Sequence, residues 1–396
     1  MITLQNERDC SGCAACAAVC PASCIAMRPA TLGSLFPHVD TAACIGCGRC
    51  ESVCPIANRP IREPSFRQCA YAAYARDAGV RHRGASGGMF ETFARYLLGA
   101  GYDVYGAAFD GEMKLRTTCA TTEEELLPLC KSKYLQCDAG DKYAEIAAKL
   151  KAGKKVLYVS TPCQIAALKN YLGRPYEGLV TVDFLCHGVP SQELFDRLAA
   201  YEKETHGRRI TAYSFRTKIK NGATPHYVTV TTERGGKVRR RTAPYFRSPY
   251  YAFFQQYVSM RESCYDCVFS DRNRPSDITV GDFHSIDRYV KGINRFDGVS
   301  TVILNTAAGA ALFDAVRDTL SVYEMDLDAL MADRVLFTEK TNRPKAKDAF
   351  IKSYHNDSIS EFVRKNTPRR KYFVYAVYYR LPRPLRAVVK KALHMD

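Results

Sequence analysis

Cys10-Ser11-Gly12-Cys13-Ala14-Ala15-Cys16-Ala17-Ala18-Val19-Cys20-Pro21 returns in a second form as Cys44-Ile45-Gly46-Cys47-Gly48-Arg49-Cys50-Glu51-Ser52-Val53-Cys54-Pro55. Both runs are spaced C-x-x-C-x-x-C-x-x-x-C-P, so eight of the nine cysteines in the first 54 residues belong to one repeat. Three cysteines at such intervals wrap a tight loop and offer three thiolates to one place. The proline after the fourth turns the chain away. Gly12, Gly46 and Gly48 let the backbone approach the sulfurs closely.

This is the spacing of bacterial two-cluster ferredoxins, in which the fourth cysteine of each run serves the other cluster. Cys10, Cys13, Cys16 and Cys54 are therefore assigned to one [4Fe–4S] cluster, and Cys44, Cys47, Cys50 and Cys20 to the other. Zinc sites use paired C-x-x-C units rather than triplets followed by a cysteine and a proline. Residues 1–60 are read as a small ferredoxin-like dicluster domain. Cys24 falls outside the pattern and is expected to be a small buried apolar residue.

The chain has 396 residues and an apolar fraction of 46%, enough for a large core and more than one domain. Seventeen cysteines would suit disulfides in a secreted protein. Met1 to Asp9 is short and polar, however, so no secretory leader is expected. Cluster thiolates require a reducing compartment, and the cytoplasm is the expected location. No run of about 18 apolar residues suggests a spanning helix.

After Asn58-Arg59-Pro60-Ile61-Arg62-Glu63-Pro64, read as a linker, a second domain is expected over 66–335. Arg83-Gly84-Ala85-Ser86-Gly87-Gly88 opens a helical pattern from Met89 to Leu98, and such a loop either cradles phosphate or only caps the helix. Strand and helix then alternate: Lys155 to Ser160, Gln164 to Tyr171, Leu179 to Leu185, Gln192 to Thr205. This implies an α/β layer with parallel strands. Both strands end in unusual turns, Ser160-Thr161-Pro162-Cys163-Gln164 and Asp183-Phe184-Leu185-Cys186-His187-Gly188-Val189-Pro190-Ser191. Ligands of open α/β sheets bind at such strand ends.

Ile210 to Lys218 and Tyr227 to Thr242 read as antiparallel strands with a hairpin turn at Gly235-Gly236. Cys264-Tyr265-Asp266-Cys267 follows, and then a strand, Asp277 to Phe283. With Cys163 and Cys186 the C-x-x-C makes four thiols, the number that a further cubane needs; a zinc half-site or a redox dithiol fits the spacing equally well.

The ordered set GASGG, STPCQIAAL, DFLCHGVPS, CYDC and SDITVGDF resembles the coenzyme F420 hydrogenase/dehydrogenase beta-subunit family, from about Arg67 to Asn305. The resemblance implies an α/β (α+β) flavoprotein domain carrying FAD and a third [4Fe–4S] cluster, with Cys163, Cys186, Cys264 and Cys267 as its ligands. It further implies that Gly84, Ser86, Gly87 and Gly88 meet the flavin phosphates. Lys133, Tyr134 and Gln136 match the family's Lys-Tyr-x-Gln segment near the cofactor, with Thr161 and Gln164 also cofactor-binding. Lys133 and His187 are the groups expected at the isoalloxazine or the substrate, where a cation near flavin N1 would stabilise the reduced form. The chain departs from the family at Gly281-Asp282-Phe283-His284-Ser285, where members often carry Gly-Asp-Phe-Trp-Gly, and at Cys137, where many carry serine. Cys69, Cys119 and Cys130 match no motif and are expected to be buried apolar thiols.

The function implied is an FAD- and iron–sulfur-dependent oxidoreductase. It would pass electrons between the clusters and the flavin and exchange hydride with coenzyme F420 or another organic acceptor. Its partner would be a ferredoxin or a redox-complex subunit. The alternative is a non-catalytic subunit that wires a larger redox complex.

The net charge of +16 is concentrated toward the end, where Arg364 to Lys391 supplies ten basic residues against Asp396 alone. Residues 336–396 read as a basic, aromatic tail suited to an anionic membrane surface on the cytoplasmic side, or as a last helix docked on the protein's own core. No helix-turn-helix, RNA-recognition or zinc-finger pattern accompanies the charge, which argues against nucleic acid.

Overall fold

The computed structural model describes residues 2–62, 65–219, 226–332, 340–381 and 385–386. Two compact units emerge, Met1–Leu194 with Met260–Arg343, and Phe195–Ser259 with Pro344–Asp396. These units do not follow the motif boundaries at 60 and 335. The cysteine-rich segment is hydrogen-bonded into the first unit, and the three-stranded sheet between Leu194 and Met260 groups with the C-terminal helices.

In the first unit the cysteine runs flank a hairpin of β1 (Ile25–Pro29) and β2 (Leu35–Val39). There follow β3 (Cys69–Ala75), β4 (Tyr102–Phe109), β5 (Leu115–Ala120), β6 (Lys155–Val159) and β7 (Leu179–Phe184). The second unit holds β8 (Arg209–Thr217), β9 (Tyr227–Arg234) and β10 (Lys237–Pro244), an antiparallel sheet with its hairpin at Gly235-Gly236. The first unit then resumes with β11 (Ile278–Asp282), β12 (Ser300–Leu304) and β13 (Leu320–Met325).

Eight strands form the main sheet, in the order β13-β3-β12-β11-β7-β6-β4-β5. The sequence pattern implies a parallel layer, and the sheet is mixed. Among the described residues, only β4, β6, β7 and β11 pair in parallel; β5 pairs antiparallel at one edge, and β12, β3 and β13 pair antiparallel at the other. The reason is the connection: no crossover helix lies between β11 and β12, so the chain returns antiparallel. β12 is buried at all five positions and β7 at four of six, as strands covered on both faces should be. Because β6 and β7 are adjacent and parallel, the turns after them, with Cys163 and Cys186, emerge side by side.

Asp277 locks β11 into this sheet. Its carboxylate accepts from the Thr181 amide at 2.7 Å and from the Thr306 hydroxyl at 2.8 Å, while its carbonyl accepts from the Asn305 amide. The Ala307–Val316 helix presses on the same point: a Cβ on Gly309 would stand 2.2 Å from the Asp277 carbonyl oxygen. The linker is likewise held. Arg59 pairs with Asp271 and donates to the Asn273 carbonyl at 2.7 Å, and the Arg62 amide donates to the Asn273 side chain at 2.6 Å.

Gly309→Ala is expected to destabilise the protein by about 1–3 kcal/mol despite alanine's better helix propensity. Gly introduced at the exposed neighbour Ala308 should cost only about 0.5–1 kcal/mol. Denaturant unfolding of the two variants checks the contrast.

Candidate electron-transfer site

Cys20, Cys44, Cys47 and Cys50 line one cavity, together with Ala22, Cys24, Ile25, Val39, Ile45 and Gly48. The fourth thiol therefore comes from the other run. Four sulfurs around a cavity suit a multi-iron cluster; a single zinc would draw its ligands to about 2.3 Å from one point. Among the described residues, no three Cys, His, Asp or Glu side chains come close enough to hold one metal ion. Cys24 is buried as expected, yet it is more than apolar filling: its sulfur lies 3.4 Å from that of Cys20 in the cavity wall. Cys130 is buried, whereas Cys69 and Cys119 are only half-buried, because the Lys149 ammonium approaches the Cys119 sulfur at 3.7 Å and Cys69 opens strand β3.

The other four thiols form a deeper group. Cys10, Cys13 and Cys16 are buried, and burial followed by repulsion from Cys13 and Cys10 raises the Cys16 thiol, with Cys54 adding to it. The Gly12 amide donates to the Cys10 sulfur at 3.3 Å, a contact that stabilises a thiolate. The two groups differ in exposure: Cys47 is at the surface, Ile45 is 67% exposed and nothing stands within 4 Å of a Cβ on Gly46.

Cys163, Cys186, Cys264 and Cys267 converge from the ends of β6 and β7 and the turn Glu262–Asp266. Burial pushes the Cys163 thiol up to about 12, with Cys267 and Cys264 adding to the rise. Burial raises Cys186 too, with Cys264, Cys163 and Cys267 all contributing. Gly188, at φ +115°, keeps the turn open: a Cβ there would stand 3.0 Å from that of Cys264. The set also reaches the ferredoxin-like segment, since Cys13, pushed up to about 12 mainly by burial, feels Cys163.

Between these sets lies Arg261, which the sequence pattern does not single out. It is 2% exposed. Its Nε donates to the Cys10 carbonyl at 2.7 Å, one terminal nitrogen to the Leu35 carbonyl at 2.6 Å and the other to the Gln136 side-chain oxygen at 3.3 Å. No carboxylate pairs with it among the described residues. Burial raises the Cys10 thiol, and the guanidinium opposes that; it pulls the same way on Cys163. Gly12 must be glycine here, at φ +66°, because a Cβ would stand 2.4 Å from the guanidinium. Gln136 completes the clamp by donating to the Ser11 and Gly12 carbonyls at 3.0 and 2.8 Å. Tyr143, fully buried, donates to the Cys13 carbonyl at 3.0 Å.

Lys133 donates to the Pro128, Leu129 and Cys130 carbonyls at 2.8, 2.9 and 2.8 Å, closing a helical turn, and burial pulls its pKa down to about 7. Gln164 donates to the Cys137 carbonyl at 2.7 Å, and the Thr161 hydroxyl lies 3.2 Å from the Cys163 sulfur. Tyr134 is half-buried, and His187 is exposed beside Cys186, its carbonyl accepting from Thr341 at 3.1 Å. In the glycine loop, the Ser86 hydroxyl donates to the Val299 carbonyl at 2.8 Å and the Gly87 amide to the Ser300 hydroxyl at 2.9 Å. Gly84 and Gly88 pack against each other, and no side chain caps the helix that begins after Gly88, at φ +91°.

Two stretches match family models for the beta subunit of coenzyme F420 hydrogenase/dehydrogenase: residues 70–141 its N-terminal part and residues 153–329 its C-terminal part. The chain belongs to the coenzyme F420 hydrogenase/dehydrogenase beta-subunit family. Residues 9–58 match a 4Fe-4S dicluster domain, so this family member is an oxidoreductase-type electron-transfer subunit with an iron–sulfur domain. Among curated proteins none matches. A chain of the F420-reducing [NiFe] hydrogenase complex from Methanosarcina barkeri, in a xenon-derivatised structure, is similar at 18% identity and a TM-score of 0.43. The match covers 78% of this chain and 93% of that one.

Arg261→Met should destabilise the protein by at least about 3 kcal/mol, since it leaves several buried acceptors unpaired. Arg261→Lys should recover only part of this, because one ammonium cannot span the fan of three acceptors. Thermal unfolding of the anaerobic protein measures both.

Proposed function

We propose that this chain is an iron–sulfur flavoprotein oxidoreductase that links a redox partner protein to a soluble hydride donor or acceptor, coenzyme F420 or another organic molecule. The observation that carries the reading is the convergence of Cys163, Cys186, Cys264 and Cys267 beside Cys13, with Arg261 between. Burial and the neighbouring thiols raise both Cys163 and Cys186, so these two cannot readily ionise together without a cationic group among the four, and a third [4Fe–4S] cluster meets that need. Clusters supply one-electron transfer, and FAD supplies the conversion to two-electron hydride chemistry.

The chain's own residues divide the work. Cys20, Cys44, Cys47 and Cys50 hold their group near the surface, where a redox partner or ferredoxin can approach. Cys10, Cys13 and Cys16, which are buried, hold theirs with the half-buried Cys54, better shielded from water. Ser86 and Gly87 fasten the glycine loop to the sheet. The uncapped helix after Gly88 is left to receive the FAD phosphates, together with the backbone of Gly84 and Gly88. Lys133 acts by fixing the turn before Tyr134 and Gln136, and His187 is the titratable group at the strand end, where substrate would be met.

Anaerobic reconstitution followed by iron and flavin counting tests the proposal. About twelve irons and one FAD per chain are expected, with Cys163→Ala and Cys264→Ala each falling to about eight irons. Eight irons in the unmodified protein, or no bound flavin, would leave only the dicluster electron carrier.

A further inference from the structure

We propose that the outward face of the Arg369–Tyr378 helix docks on an anionic lipid surface. This goes beyond the redox reading and rests on the second compact unit alone. The helix is held by one side. Tyr372 is buried, and Tyr372, Tyr375 and Tyr379 pack on Phe246 at centroid distances of 6.3, 6.2 and 5.8 Å, the last ring stacked within 6° of parallel. With three tyrosines anchored, the helix cannot turn its other face inward.

That other face is apolar and exposed. Phe373 is 71% exposed, Val377 46% and Val374 41%. At helical spacing these three share one side, with Arg370 among them and Arg369 and Lys371 flanking. Arg369, Arg370, Lys371 and Arg380 have no carboxylate partner among the described residues. From Phe362 to Met395 the sequence contains ten basic residues and no acidic one.

Soluble surfaces intersperse both signs and keep large apolar side chains few. An outward apolar stripe ringed by cations without carboxylate partners instead has the make-up of an interfacial helix, which sinks its apolar side chains among acyl chains and its cations among anionic headgroups. A protein partner would need a shape-matched surface of roughly 1,000 Å² or more, whereas a fluid lipid interface moulds itself to three protruding side chains. Among the described residues no helix is long and apolar enough to cross a membrane, so the contact is interfacial.

Flotation of the full chain, purified anaerobically, tests this. Vesicles of phosphatidylcholine alone are compared with vesicles of equal parts phosphatidylcholine and phosphatidylglycerol. The protein is expected to float with the mixed vesicles only. Phe373→Glu combined with Val377→Glu should lower the bound fraction at least about tenfold. Arg369→Gln and Arg370→Gln should each lower it about fivefold. Iron content and unfolding temperature should stay unchanged, since these side chains lie on the exposed face. No flotation, equal flotation with both vesicle types, or flotation indifferent to the variants overturns the proposal. So does self-association without lipid that Phe373→Glu abolishes, which would assign the face to a second copy of the chain.

Discussion

The guanidinium of Arg261 is the constraint on which the first compact unit depends. A buried cation without a carboxylate is costly unless its donors are satisfied and anionic groups stand nearby. Arg261 meets both conditions. Its donors are taken by Cys10, Leu35 and Gln136, and thiols of both cysteine sets lie within its field. The same side chain fixes the conformation of the first cysteine loop, requires glycine at position 12 and couples that loop to the turn bearing Cys264. The ferredoxin-like segment is thus welded to the α/β sheet. Tyr143 beneath Cys13, the Ser191 hydroxyl on the Leu32 carbonyl and Arg59 on Asp271 complete the weld.

The parts legible in the sequence are those set by local geometry. Close ligand spacing declares the two cysteine runs. Continuous apolar runs declare β6 and β7, and Gly235-Gly236 declares the hairpin between β9 and β10. What escapes is set by distant contacts. The antiparallel return of β12 depends on which neighbour the chain finds, not on the residues of β12 itself. Arg261 stands shortly before Cys264 with no pattern to mark it, because its role comes from partners some 125 and 251 positions away. Lys133, Gln136 and Gln164 are motif residues whose polar atoms serve the chain's own backbone. A motif shows that a residue type matters at a position; only the fold shows what the side chain touches.

The cysteine groups differ in exposure and follow one another through the first unit. Cys47 and the bare loop around Gly46 face solvent; Cys10, Cys13 and Cys16 are enclosed; Cys163 lies beyond Cys13 at the carboxyl ends of parallel strands. In the proposed reading, charge would be exchanged with a partner at the exposed end and protected from water at the enclosed one. The glycine loop obeys a comparable division, with Ser86 and Gly87 committed to the sheet and the helix end after Gly88 left uncapped.

In the proposed reading, the Cys10, Cys13, Cys16 and Cys54 group stands between the surface group and a third group held by Cys163, Cys186, Cys264 and Cys267. Electron paramagnetic resonance of the fully reduced protein, compared with a Cys186→Ala variant, measures this directly. Magnetic coupling of the inner dicluster signal to two neighbours is expected in the unmodified protein, and to one in the variant. Spectra of identical line shape would contradict it.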